Sequence, residues 1–82
     1  MDSKSIGELI KTVRKEQGFT QAEAAGYLNV GIRFLSELEN GKPTVQLEKV
    51  LQVLEGFGYE ILLVPKSKRK IINYVKKSLS DE

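Results

Sequence analysis

Apolar residues recur along this chain at helical spacing in several places and bunch into one short continuous run after them. Ile6, Leu9, Ile10 and Val13 fall at i, i+3, i+4 and i+7, the stripe of a helix packed on one face. With Ser5 as its N-cap and Gly18 as a left-handed stop, that stripe predicts a helix over residues 6–17. Thr20-Gln21-Ala22-Glu23 is a capping box, and Phe19 before it is placed to staple onto Ala24. A short second helix follows, ending near Leu28, with Ala24, Ala25 and Leu28 turned inward. Asn29-Val30-Gly31 makes a tight connection, since Asn29 tolerates a left-handed backbone and Val30 plugs the turn. A third helix is expected over residues 32–40, with Leu35 and Leu38 on one face, ended by Asn40-Gly41-Lys42-Pro43. Leu47, Val50, Leu51, Leu54 and Phe57 predict a fourth, stopped by Gly56 and Gly58.

The run Tyr59-Glu60-Ile61-Leu62-Leu63-Val64-Pro65 has the length, flanks and β-branched or aromatic content of a strand. A lone strand has nothing in this chain to pair with. Its open edge needs a partner, and the same strand of a second copy, with Tyr59, Ile61 and Leu63 as dimer-strand residues, is the simplest; cover by the tail is the other solution. Beyond it, Ser67 can cap a short helix bearing Ile71, Ile72, Val75 and Leu79, a stripe too thin to stand alone. The chain therefore divides into a helical domain over residues 1–58, a dimerisation strand over 59–65 and a basic tail over 66–82.

Composition narrows the chemistry. Eighty-two residues allow one domain with a modest core, which makes a second subunit a reasonable expectation. The absence of cysteine excludes disulfides and thiolate metal sites, and the absence of histidine removes the commonest general base and zinc nitrogen ligand. No nucleophile–base pair can be assembled, Glu37 and Glu39 do not face each other on a helix, and no Gly-rich phosphate loop appears. The chain reads as a non-enzyme with no cofactor and no metal. With no apolar stretch approaching ~20 residues and no apolar signal core, it is expected in the cytoplasm and not at a membrane. Residues 1–65 carry seven Lys/Arg against nine Asp/Glu, whereas residues 66–80 hold Lys66, Lys68, Arg69, Lys70, Lys76 and Lys77 with no acid. That basic segment fits phosphate binding, docking on a protein partner, or simple solubility.

The second helix, its turn and the third helix, backed by the first, are the arrangement that inserts one helix into the major groove of DNA. Here the sequence resembles the phage-repressor-like, Xre-type helix-turn-helix family, in Gly18-Phe19-Thr20-Gln21-Ala22-Glu23-Ala24-Ala25, the plug Val30-Gly31 and Leu35-Ser36-Glu37-Leu38-Glu39-Asn40-Gly41-Lys42. Gly31-Ile32-Arg33-Phe34-Leu35-Ser36-Glu37-Leu38-Glu39, then Gly41-Lys42-Pro43-Thr44, a fourth helix and a Tyr-Glu-Ile-Leu strand are similar to HipB-type antitoxins. The resemblance implies a mainly all-α, lambda-repressor-like domain of the five-helix type, here with four helices and one C-terminal β-strand paired across a homodimer. It also implies a sequence-specific repressor of its own operon, with an operator inverted repeat in double-stranded DNA and a HipA-like kinase toxin as partners. A stand-alone phage-type or restriction-controller repressor, or an interaction module without DNA binding, is the alternative.

Position by position, the resemblance makes Gln21 a phosphate contact and sets Ile32, Arg33, Ser36 and Glu37 toward base edges. Arg33 can fork onto guanine, Glu37 can accept from cytosine and Ile32 can touch a thymine methyl. It assigns Asn40 and Lys42 to the DNA backbone, and Arg14 and Glu39 to an ion pair locking the first helix to the third. Gly31 stands where Ser or Thr is the usual cap, and Ile32 and Phe34 where Gln and a small polar residue are commoner, so Phe34 is a candidate to pack inward.

Overall fold

A computed structural model describes residues 2–65. Its elements are α1 (Ser3–Glu16), α2 (Gln21–Leu28), α3 (Ile32–Glu39) and α4 (Leu47–Gly56). The all-α expectation holds. Among the described residues there is no strand: residues 59–65 carry no regular element and their apolar side chains are exposed. A ladder needs two strands, and a single chain of this sequence offers only one segment of that kind. The tail, including its helix-capable stripe, lies outside the described residues.

Helix starts follow the side chains that can accept a backbone N–H. α1 begins a turn earlier than Ser5 would set it, because Asp2 is the cap: Ser5 donates both its backbone N–H and its hydroxyl to Asp2 Oδ1 at 2.8 Å. Those bonds hold the Asp2 carboxyl below its usual range. The capping box of α2 is formed at both ends, with Thr20 accepting from the Glu23 N–H and Glu23 from the Thr20 N–H. Gly31 gives α3 no side-chain cap.

All four helices stop in the same way. The N–H groups of Phe19, Val30, Lys42 and Tyr59 reach back to the carbonyls of Arg14, Ala25, Glu37 and Leu54 at 2.8–3.1 Å. Each such closure needs a left-handed residue just before the donor, and Gly18, Asn29, Gly41 and Gly58 occupy those places with φ between +58° and +87°. Tertiary contacts add further caps. Gln52 of α4 donates to the Leu28 and Asn29 carbonyls at the end of α2, and Gln17 donates to the Phe57 carbonyl.

The core is Ile10, Val13, Ala24, Ala25, Leu28, Leu35, Leu38, Val50, Val53 and Phe57, with Phe34 among the residues packed partly against it. Two stripes read from the sequence are off-centre. On α1 the buried residues are Gly7, Ile10, Val13 and Arg14, while Leu9 is exposed. On α4 they are Val50 and Val53, with Phe57 just beyond, while Leu47 and Leu51 face outward. The reason lies in the partner helix. α3 crosses α1 so closely that a β-carbon on Gly7 would run into the backbone carbonyls of Leu38 and Glu39, so the inner face of α1 centres on that glycine. Gly7→Ala should therefore cost about 1–3 kcal/mol, the range for forcing extra volume into packed backbone. Gly31→Ser, which meets open space, should leave stability level or slightly raised. Urea melts of the two variants check the contrast.

Candidate nucleic-acid interface

The leading turn of α3 projects away from the body. Ile32 is 51% exposed, and the Arg33 side chain is 90% exposed. Opposite Arg33 on the same helix, Leu35 and Leu38 are buried, because a 3.6-residue period puts positions three apart on one face; Ile32 shares their side but stands on the first turn, beyond the body they pack against. Phe34 turns inward, as its size requires. Ser36 and Glu37 are half-buried on the flank of the helix.

Behind this edge sits the ion pair that fixes α3. Arg14 Nε and Nη2 donate to the two carboxylate oxygens of Glu39 at 2.7 and 3.0 Å, and Nη1 donates to the Phe19 carbonyl at 2.8 Å. The Glu39 side chain is only 1% exposed. Its hydrogen bond holds the Arg14 guanidinium protonated still more firmly than usual, against the opposing effect of burial. Gln21, at the start of α2, joins the network: its amide nitrogen donates to Glu39 Oε1 at 3.1 Å. No described buried side-chain nitrogen or oxygen lacks a partner. Three helices thus meet on one carboxylate, and Gln21 stands part-buried beside it instead of extended into solvent.

Two cations near the leading edge share a second carboxylate. Glu37 Oε2 accepts from Lys42 Nζ at 3.2 Å and lies 3.7 Å from Arg33 Nε. The pairs are exposed, so each contributes on the order of 0–1 kcal/mol and can exchange for another anion. Asn40 ends α3, exposed beside Lys42. A cation that sequence reasoning passed over is Lys49 of α4, whose Nζ lies 5.7 Å from the centre of the Phe34 ring. Its nearness to α3 follows from Phe34 packing inward, which no local spacing announces.

Tyr59, Ile61 and Leu63 are all exposed, as are Leu62 and Val64. Leu51, Leu54, Glu55, Tyr59, Glu60 and Ile61 line a shallow groove of about 310 Å³ between the outer flank of α4 and this segment. Among the described residues no helix is long and apolar enough to cross a membrane, and no cluster of potential metal ligands forms.

The model of one protein family, helix-turn-helix, matches residues 10–64, from the middle of α1 to the end of the exposed apolar run. The chain belongs to the helix-turn-helix family. It is a DNA-binding transcriptional regulator, and that family is not a class of enzymes. The chain is 53% identical over 66 residues to the uncharacterized HTH-type transcriptional regulator y4mF of Sinorhizobium fredii, covering 79% of this chain and 87% of that one. It is 43% identical over 64 residues to the ImmF control region 10 kDa protein of Bacillus phage phi105, covering 76% of this chain and 71% of that one. Among solved structures it superposes with a TM-score of 0.74 on a chain of a HipA–HipB–O2–O3 complex, at 21% identity, over 82% of this chain and 94% of that one. A HipB–O4 20mer complex superposes equally well, at the same identity and coverage. At that identity the likeness is one of fold.

Because the helix-turn-helix scaffold rests on the Arg14–Glu39 pair, Glu39→Ala should cost about 3–5 kcal/mol by leaving the guanidinium buried and uncompensated. Replacing both partners with apolar residues of similar size, Arg14→Met with Glu39→Leu, should recover most of that loss. Denaturant unfolding of the single and double variants decides it; a single-variant loss below about 1 kcal/mol is the value of an exposed pair and would deny the lock.

Proposed function

We propose that this regulator is a dimeric, operator-binding repressor of the HipB type, which acts in the cytoplasm, represses its own operon and neutralises a kinase-like toxin. The observation that carries the DNA half of this reading is the leading turn of α3, exposed at Ile32 and Arg33 on a helix whose far end is tied down by Glu39. A rigid helix with free leading side chains is what major-groove readout requires. In this reading Arg33, Ile32, Ser36 and Glu37 meet base edges, and Asn40 and Lys42 hold the backbone. Gln21 uses the second hydrogen of its amide nitrogen on a phosphate, the first being engaged by Glu39. Glu37 then releases Arg33 and Lys42 as the DNA supplies other acceptors.

Footprinting on the chain's own promoter should protect an inverted repeat with half-sites about 34 Å apart, one duplex turn. Arg33→Ala should weaken operator binding by about 1–3 kcal/mol, roughly 5- to 150-fold, while barely changing affinity for random DNA. Equal loss on both sequences would remove Arg33 from base readout.

The dimer is supported by the outer flank of α4 and the exposed apolar run beside it, a surface too apolar to leave in water. Residues 59–65 pair with the same segment of a second copy, with Tyr59, Ile61 and Leu63 on one face by the two-residue period of a strand. Ile61→Lys with Leu63→Lys should yield a helical monomer in sedimentation; a parent chain that is itself monomeric at micromolar concentration would rule the pairing out.

The antitoxin half rests on the sequence similarity to HipB-type antitoxins and on the shared fold, one of whose solved examples holds HipA beside HipB. The phage relative favours a second reading, a stand-alone repressor. A kinase-like gene beside this one, with rescue from its toxicity on co-expression, separates the two.

A further inference from the structure

Seen down its axis, α3 has two flanks. At about 100° per residue, Arg33 points outward, nearly opposite the buried Leu35, while Ser36 lies to one side and Phe34 to the other. Glu39 falls on the same side as Ser36, and there Gln21 of α2 donates to it at 3.1 Å. On the Phe34 side stands α4, whose Lys49 Nζ lies 5.7 Å from the centre of the Phe34 ring. A helix seated in the major groove, about 12 Å wide, runs between two phosphate backbones, one along each flank. Gln21 serves the first flank in the operator reading; the second offers Lys49.

The charges near α3 point the same way. Of the seven cations in residues 2–65, Arg14 is buried on Glu39, Arg33 and Lys42 share Glu37, and Lys4, Lys11 and Lys15 lie on α1. Lys49 is exposed and enters no ion pair among the described residues. Its charge beside α3 is therefore not offset by a carboxylate there. A lone ammonium on a four-carbon stem samples many positions, but the face of an aromatic ring attracts a cation even at an exposed site. Phe34 stands where a small polar residue is commoner, and a half-buried ring cannot read a base edge. It can hold an ammonium beside α3.

We propose that Lys49, seated on the Phe34 ring, is a further DNA contact: it neutralises a backbone phosphate on the α4 side of the groove, across α3 from the strand that Gln21 meets. The proposal rests on the operator reading above. Lys49 then contributes affinity and holds α3 centred between the two strands, and it carries no sequence preference, because a phosphate is the same at every base pair. Phe34 acts through Lys49 as a positioning residue.

The test uses the full chain with Lys49→Gln, Lys49→Arg, Phe34→Leu, and Phe34→Leu combined with Lys49→Gln. Fluorescence anisotropy is read on the chain's own promoter fragment and on a random-sequence duplex, from about 50 to 200 mM salt. Lys49→Gln should flatten the slope of log affinity against log salt by about 0.9 for each bound copy. Near 0.15 M salt that means about fivefold weaker binding per copy, equal on both duplexes. Lys49 is exposed, so this variant keeps the parent's helix content and melting curve. Lys49→Arg should retain the parent slope. Phe34→Leu keeps apolar bulk and the charge but removes the ring; it should weaken binding about two- to fivefold with the slope unchanged, and cost nothing more once Lys49→Gln is present. A Phe34→Leu loss that adds in full to that of Lys49→Gln would deny the ring its part. An unchanged slope and affinity in Lys49→Gln, while the parent still binds its promoter, would overturn the proposal and leave the operator reading intact. A loss confined to the promoter fragment would make Lys49 a base contact and overturn it as well. A parent chain that binds neither duplex at low salt would bring down both readings.

Discussion

The buried pair between Arg14 and Glu39 is the contact on which the geometry of this protein turns. The guanidinium meets the carboxylate side-on and in plane, through Nε and Nη2, with Nη1 held on the Phe19 carbonyl, so the pair constrains the distance and the rotation of α3 against α1 together. The third donor of Arg14 grips the Phe19 carbonyl, where the chain leaves α1 for α2, and Gln21 adds α2 itself. Helix α3 has only eight residues and no side-chain cap, too short to be stable or straight by itself. It becomes a rod with a defined direction because its far end is tied to two other helices.

That arrangement leaves the near end of α3 free. The same side-chain chemistry is used in two opposite ways there. Glu39, buried and doubly bonded, holds permanently; Glu37, two residues earlier and on the rim, holds Arg33 and Lys42 only loosely. The difference is solvent. In the interior an ion pair broken on one side leaves a costly charge behind, whereas on the surface water and a phosphate compete on nearly equal terms. A regulator needs both kinds of pair, a permanent one for shape and an exchangeable one for recognition.

Much of this was legible in the residues. The capping box of α2, the stops at Gly18, Asn29, Gly41 and Gly58, and the bounds of α2 and α3 follow from local hydrogen bonding, which acts over three to five residues and so leaves a local signature. The Arg14–Glu39 pair came from likeness to a family, not from spacing, since twenty-five residues separate the partners. Where a stripe was centred proved less legible. Leu9, Leu47 and Leu51 lie within an apolar arc yet face outward, and Val53 and Gly7 lie inside.

By itself the sequence determined where α2 and α3 begin and where each helix stops, which stretches are amphipathic, and that net positive charge gathers in residues 66–80, though it set the start of α1 a turn late. Those properties depend on neighbours along the chain and on composition. Tertiary structure alone decided which edge of each apolar arc is buried, that α3 approaches α1 at a glycine, that Gln21 is bound to Glu39, and that Lys49 stands beside the Phe34 ring. Each of these is a relation between residues far apart in the chain. A helix repeat fixes the face a residue shares with its own neighbours, but the direction of that face is set only when another helix packs against it.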